Sequence, residues 1–216
     1  MGIPVMILGA SGSGKSTSLR NFAPGEIGIF NVAGKPLPFR NKLATIDNCD
    51  YNTITSVLKR NSMKTYAIDD SQYLIAFESF AHAKETGYGK FTNMAVNFKS
   101  LIDTVRLSTS PDTIVYFLHH TEIDSAGHLK AKTLGQMLDS QLVVEGMFAI
   151  VLLATIEGKE HYFITNSDGT NTAKSPLEMF DMKIDNDLKS VDTVIRDYYG
   201  LTISKEKEKT ADEKNQ

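Results

Sequence analysis

Residues 9–16 read Gly-Ala-Ser-Gly-Ser-Gly-Lys-Ser. They fit the phosphate-loop pattern G-x-x-x-x-G-K-[ST] at every fixed position. Glycines at 9, 12 and 14 let successive backbone N–H groups curl around phosphate oxygens. Lys15 would reach the β- and γ-phosphates, and the Ser16 hydroxyl would ligate magnesium. Gly9, Ala10, Ser11, Gly12, Ser13, Gly14, Lys15, Ser16 and Thr17 are therefore the candidate nucleotide-binding set, with ATP and Mg2+ as the expected ligands. A second segment, "TYAIDD" at 65–70, is an apolar run ending in two acids. Asp69 is the expected metal-side carboxylate and Asp70 the candidate general base that orients a water. A third, "TIVYFLHHTE" at 113–122, brings polar groups to the end of another apolar run. His119, His120 and Glu122 are expected near the γ-phosphate, with His120 as the group that reads it by hydrogen bond. The adjacent histidines lack the i, i+4 spacing of a helical metal pair. His82, His128 and His161 read as ordinary surface or packing residues.

These groups need a scaffold that delivers strand ends to one edge. The chain supplies it, because strand-like and helix-like segments alternate, as in an open α/β sheet. Strands are expected at 3–8, 26–32, 43–46, 65–70 and 113–118. A β-hairpin is expected from "FAIVLLATI" and "HYFITN" across "EGKE". Helices are expected at 15–22, at 51–59 after the N-cap Asp50, at 71–83, at 93–107, at 135–143 and at 186–199. The helix at 71–83 should turn Leu74, Ile75, Phe77 and Phe80 inward. The one at 93–107 should turn Val96, Leu101, Ile102 and Val105 inward, and the last one Leu188, Val191, Val194 and Ile195. Long polar loops are read at 84–91 and 119–132. In parallel α/β sheets ligands collect outside the carboxyl ends of the strands, where the three segments above end.

The chain has 216 residues and a formal net charge of −3. That length suits a single domain, 1–203, followed by a charged, disordered tail at 204–216 with four lysines and four acids. The balance offers no bulk basic surface, so any nucleic acid must bind through local patches. The single cysteine, Cys49, permits no intramolecular disulfide and fits a reducing cytoplasm. The N-terminal run enters the glycine loop directly and reads as a core strand, not a signal peptide; Met6 stands where a myristoylation signal wants Ser or Thr. The longest apolar run, 147–156, is too short to span a bilayer.

The order of these parts resembles the RecA-like recombinase core. It runs phosphate loop, acid-ending strand, helix, glycine loop, helix, strand with a polar sensor, long loop, short helix and hairpin. The ending "TAKSPLEMF…IDNDLKSVDTVIRDYYGL" is similar to the ends of small bacteriophage ATPases of the single-strand-annealing, minimal RecA-like group. The resemblance covers residues 3–200. It implies a P-loop NTPase fold with a mostly parallel central sheet flanked by helices and a C-terminal β-hairpin. It also implies an oligomer, filament or ring, that binds single-stranded DNA and promotes annealing or strand exchange in phage recombination. A phage single-strand-binding protein would be a further partner, and no membrane is implied. The location would be the host cytoplasm. Two loops would line the DNA axis, with Tyr88 and Phe91 stacking on bases and Lys90, Lys130 and Lys132 meeting phosphates. Lys174 resembles the lysine that such proteins insert into a neighbour's ATP site.

One departure stands out. RecA-like cores usually carry a catalytic glutamate just after the second strand, and "GIFNVAGKPLPF" has no acid there. Either Asp70 is the base, or hydrolysis is slow and DNA-stimulated, with ATP mainly driving assembly. Three other readings compete. An AAA+-type ATPase or helicase loader needs a helical lid and a sensor arginine, and the C-terminal region offers one helix with Arg196. A small-molecule kinase needs an arginine-rich lid, and the five arginines (20, 40, 60, 106, 196) are scattered. A nucleotide-gated switch needs binding with little turnover.

Overall fold

The segment "IPVMILG" has no polar alternation, and in the computed structural model of the chain, which describes residues 1–133 and 143–201, it forms a strand covered on both faces. This strand, β1 (Ile3–Gly9), pairs in parallel with β5 (Ile114–Ile123) on one side and β7 (Ile150–Glu157) on the other. Beyond β5 lie β4 (Thr65–Asp69), β2 (Gly28–Asn31) and β3 (Thr45–Asp47), all parallel. Beyond β7 lie β8 (Glu160–Ile164) and β9 (Lys183–Asp185), each antiparallel to its neighbour. The short β6 (Leu129–Ala131) folds back on the end of β5. Among the described residues this is a nine-stranded mixed sheet of order β3-β2-β4-β5-β1-β7-β8-β9, with β6 off the path.

Residue parity along β1 builds two cores. Met6 and Leu8 face the layer of α1 (Tyr51–Lys59), α2 (Gln72–Ala81) and α3 (Gly89–Ser108). Val5 and Ile7 face the layer of a 3-10 helix (Ser16–Asn21) and α4 (Leu188–Tyr198). In the first layer Phe98, Phe117 and Phe148 meet edge to face, at centroid distances of 6.1 and 5.3 Å. Each such pair adds about 1 kcal/mol beyond the area it buries. Asp50 caps α1 by accepting from Thr53 N at 2.8 Å, as its residue type implies.

Several elements depart from the sequence expectation. The segment after the glycine loop is a 3-10 helix of six residues, so its dipole is small and loop N–H groups must carry any anion binding. It ends short because Ala23 precedes Pro24, which disfavours helical backbone there. In α2, Leu74 and Ile75 are buried, but Phe77 and Phe80 are exposed because the second half of the helix leaves the core. The helix expected at 93–107 begins at Gly89 and takes in Lys90 and Phe91. Met94 and Phe98, not Val96, fill its inward positions, and Val194 of α4 is likewise at the surface. The strand expected at 113–118 continues to Ile123, so most of the polar loop at 119–132 is a β-hairpin. The strand β9 was not anticipated. The expected helix at 135–143, but for Val143, and the tail at 204–216 lie outside the described residues.

The hairpin also decides the two histidines. His119 faces the α3 layer, with no exposed surface, and meets the Phe98 ring edge to face. Its Nε2 donates to Lys132 O at 2.9 Å, and its Nδ1 lies 3.0 Å from Ser71 Oγ. It is therefore a core residue and not a phosphate contact. Burial pulls its pKa down to about 4, from an ordinary value of 6.5. Because the folded-state value is depressed, the unfolded chain takes up the proton first as pH falls. Stability present above pH 6.5 is lost towards pH 4, by at most about 3 kcal/mol. A His119→Asn chain, unfolded in urea across this range, should lose less stability on acidification than the parent. Equal slopes would contradict the assignment.

Candidate functional site

Three strand ends meet at one edge of the sheet. Gly9 ends β1 beside His120 of β5, while Ile68 of β4 lies beside Phe117 of β5. β5 thus intervenes between the strand that leads into the glycine loop and the strand that delivers Asp69. Its far end rises between them, and parity turns His120 to the site as it turns His119 away.

The 9–16 loop is held open by glycine backbone. Gly12 and Gly14 have φ of +80° and +98°, values that other residues rarely adopt. A Cβ on Gly14 would stand 2.8 Å from His161 Nδ1 and 3.2 Å from the Asn186 amide. His161 also hydrogen-bonds Ser13 O through Nδ1 at 3.0 Å, so β8 supports the loop from behind. The C-terminal segment braces the 3-10 helix that leaves the loop. Arg20 donates to Asn186 O at 2.7 Å, and Asn21 donates to Asp187 Oδ2 at 2.9 Å.

Lys15 is buried and folds over its own loop, donating to Gly9 O and Ala10 O, both at 2.8 Å. Burial lowers its pKa to about 8 against the opposing pull of Asp70 and Asp69. Ser16 Oγ donates to Asp69 Oδ1 at 2.7 Å across 53 residues of sequence. Burial raises the Asp69 pKa, and the Ser16 hydrogen bond opposes it. Asp70 is left-handed, at φ +60°. Asp tolerates that region better than most side chains do, and such backbone is often kept at functional sites. Its Oδ1 accepts from His120 Nε2 at 3.1 Å and its Oδ2 pairs with Lys35 Nζ at 2.6 Å. Burial works upward on the Asp70 pKa, but the His120 and Lys35 contacts outweigh it and hold the carboxyl low. Asp70 is thus an ionised acceptor with both oxygens engaged.

These groups line one pocket of 240 Å³, formed by Ser11, Gly12, Gly14, Lys15, Ser16, Thr17, Lys35, Pro36, Pro38, Asp69, Asp70 and His120. The lining fits a phosphate chain, with a glycine loop and cations. Nearby, the buried Ser13 Oγ has no partner among the described residues. For magnesium, Ser16 Oγ and Asp69 Oδ1 are hard oxygen ligands. No cluster of three or more His, Cys, Asp or Glu suited to a metal exists among the described residues. Remaining coordination would come from phosphate and water, as is usual for this ion.

Comparison with protein-family models and with curated proteins returns no match. What the site can do is read from its own geometry.

The other expected residues are more dispersed. Glu122 does not line the pocket; it pairs with Lys130 at 3.1 Å across the β5–β6 hairpin, where the two are register partners. Lys174 pairs through its backbone with Val151, which lies beside Met6 and so three residues short of Gly9. Of the expected DNA contacts, Tyr88 and Lys132 are exposed. Lys90 donates to Glu85 O at 2.9 Å, and Phe91 packs partly on the core. No helix among the described residues is long and apolar enough to cross a membrane. Sequence reasoning missed Lys35, His161 and Asn186. Only Lys35 carried a signal, a Gly-Lys-Pro turn after an apolar strand.

Proposed function

We propose that this chain is a magnesium-dependent P-loop ATPase of RecA-like architecture. The observation that carries the reading is the meeting of Lys15, the Ser16–Asp69 contact and the Asp70–His120 pair at one pocket. Loop N–H groups and Lys15 would hold the phosphate chain, with Lys15 exchanging its two carbonyl acceptors for phosphate oxygens. Magnesium, when bound, would neutralise phosphate charge beside Ser16 and Asp69. His120 lines the same pocket and, by donating from Nε2 to Asp70 Oδ1, would orient that carboxylate beside the γ-phosphate. Asp70 is then the acceptor for an attacking water.

The resemblance extends this to an oligomer that binds single-stranded DNA and promotes annealing or strand exchange in phage recombination. Exposed Tyr88 and Lys132 support a DNA contact. Exposed Phe77, Phe80 and Val96 on α2 and α3 support burial against another subunit. A nucleotide-gated switch with little turnover is the second reading, favoured by the double engagement of Asp70. The test is the ATPase rate with and without single-stranded DNA, alongside sizing of the assembly. DNA-stimulated turnover in an oligomer is expected. A nucleotide-bound oligomer without turnover selects the switch, and fast DNA-independent turnover by a monomer removes the recombination role.

A further inference from the structure

Lys35 has no assigned role, yet its backbone is fixed beside the glycine-loop pocket, which its side chain lines. The turn that presents it is built by Asn31 at the end of β2. Asn31 Nδ2 donates to Lys35 O at 2.8 Å and to Asp47 Oδ1 at 2.8 Å, and Asn31 Oδ1 accepts from Lys35 N at 3.2 Å. Pro36 and Pro38 then stiffen the chain along the pocket wall. The side chain runs over the Tyr73 ring, with Nζ 5.2 Å from its centroid, and ends on Asp70. It is 59% exposed, so it is free to change partner.

We propose that Lys35 is a catalytic residue supplied by the chain itself, a cation that leaves Asp70 for the γ-phosphate when a nucleoside triphosphate enters. The proposal rests on the ATPase reading above. The charges in the pocket favour the exchange. Lys15 and Lys35 face Asp69 and Asp70 there, and a triphosphate adds several negative charges beside Lys35. Phosphate oxygens accept charge-assisted hydrogen bonds from an ammonium as a carboxylate does, and the Asp70 carboxylate is already shared with His120. The segment where an acid was expected thus contributes a positive charge instead.

The exchange has a second consequence. With Lys35 on phosphate, Asp70 keeps His120 on Oδ1 and gains a vacant Oδ2. Water can then donate to Oδ2 while its oxygen forms a bond to the γ-phosphorus. The bond from that phosphorus to the β–γ bridging oxygen breaks, and its electron pair stays on ADP. The water proton passes to Asp70 and then to the released inorganic phosphate. ADP lacks the γ-phosphate and leaves Lys35 on Asp70, so the same lysine distinguishes the two nucleotides.

The test uses the full chain with Lys35→Met, which keeps the stem, and Lys35→Arg, which keeps the charge. Affinities for ADP and for a non-hydrolysable ATP analogue are measured by competition with a fluorescent nucleotide, and turnover is measured separately. Lys35→Met should bind ADP within about twofold of the parent and lose about tenfold or more of the preference for the ATP analogue. Its turnover should fall by about 100-fold or more, and Lys35→Arg should recover part of the preference. An unchanged preference in Lys35→Met, whether or not turnover falls, leaves Lys35 as a mere counter-ion and overturns the proposal alone. A parent chain that binds neither nucleotide overturns the ATPase reading as well.

Discussion

A Lys15→Ala chain is expected to bind ATP and ADP at least about 100-fold more weakly than the parent while melting no lower in the absence of nucleotide. The first half follows from position. Lys15 is the cation at the centre of the loop, and truncation would leave the loop itself only backbone N–H groups with which to hold phosphates. Charge-assisted hydrogen bonds of this kind are each worth about 1.5–3 kcal/mol, and Lys15 Nζ already makes two, to Gly9 O and Ala10 O. The second half follows from burial. A lysine held at pKa about 8 instead of 10.5 carries its charge at pH 7 at a cost of up to roughly 3 kcal/mol to the folded state. That cost vanishes with the side chain and offsets the lost packing of its stem and the lost donors to Gly9 O and Ala10 O. A core lysine kept for structure would behave oppositely, and its removal would lower the melting temperature. Calorimetric titration with each nucleotide, paired with thermal melts, separates the cases. Full nucleotide affinity in the variant would remove Lys15, and with it the phosphate assignment.

The same contrast between local and tertiary signals explains what the sequence could foretell. The 9–16 loop, the Asp69–Asp70 pair and the central strands were legible because each is fixed by a contiguous run: a glycine pattern, an apolar stretch, a turn. The burial of His119 away from the site was not. It depends on β5 keeping its alternation past Leu118, which β6 enforces from ten residues downstream. Phe77 and Phe80 satisfied the helical period but lie beyond the point where α2 stays on the sheet. Lys35 escaped notice because the residue type expected after the second strand is an acid. The pairing that places it, Asn31 with Asp47, joins residues of two neighbouring strands. His161 and Asn186 support the loop from β8 and from the turn before α4, and no local pattern ties either to Gly14.

Arg196 poses the remaining structural question, since a helicase-loader reading would want it at the nucleotide. It sits elsewhere. Its guanidinium pairs through Nε with Asp192 at 2.6 Å. It also donates to Asp112 O at 2.8 Å, and to Lys64 O and Thr65 Oγ1 at 2.9 Å. Asp192 also accepts from the buried Tyr116 hydroxyl at 3.1 Å. Thr65 begins β4 and Asp69 ends it, so the network lies at the opposite edge of the sheet, roughly 13 Å from the glycine-loop pocket at 3.3 Å per residue. Arg196→Ala strands the Asp192 carboxylate in the interior and takes the guanidinium donor from Asp112 O, while Lys64 O keeps Ile114 N at 2.9 Å. The expected loss is about 3–5 kcal/mol in urea unfolding, among the largest a single substitution can give. Replacing both partners with apolar residues, Arg196→Met with Asp192→Leu, should recover much of it, because the penalty comes from the unpaired charge. Nucleotide affinity per folded molecule should stay at the parent value in both variants. If Arg196→Ala kept its stability and lost nucleotide instead, the arginine would belong to the site, and the case against a sensor arginine would fail with it.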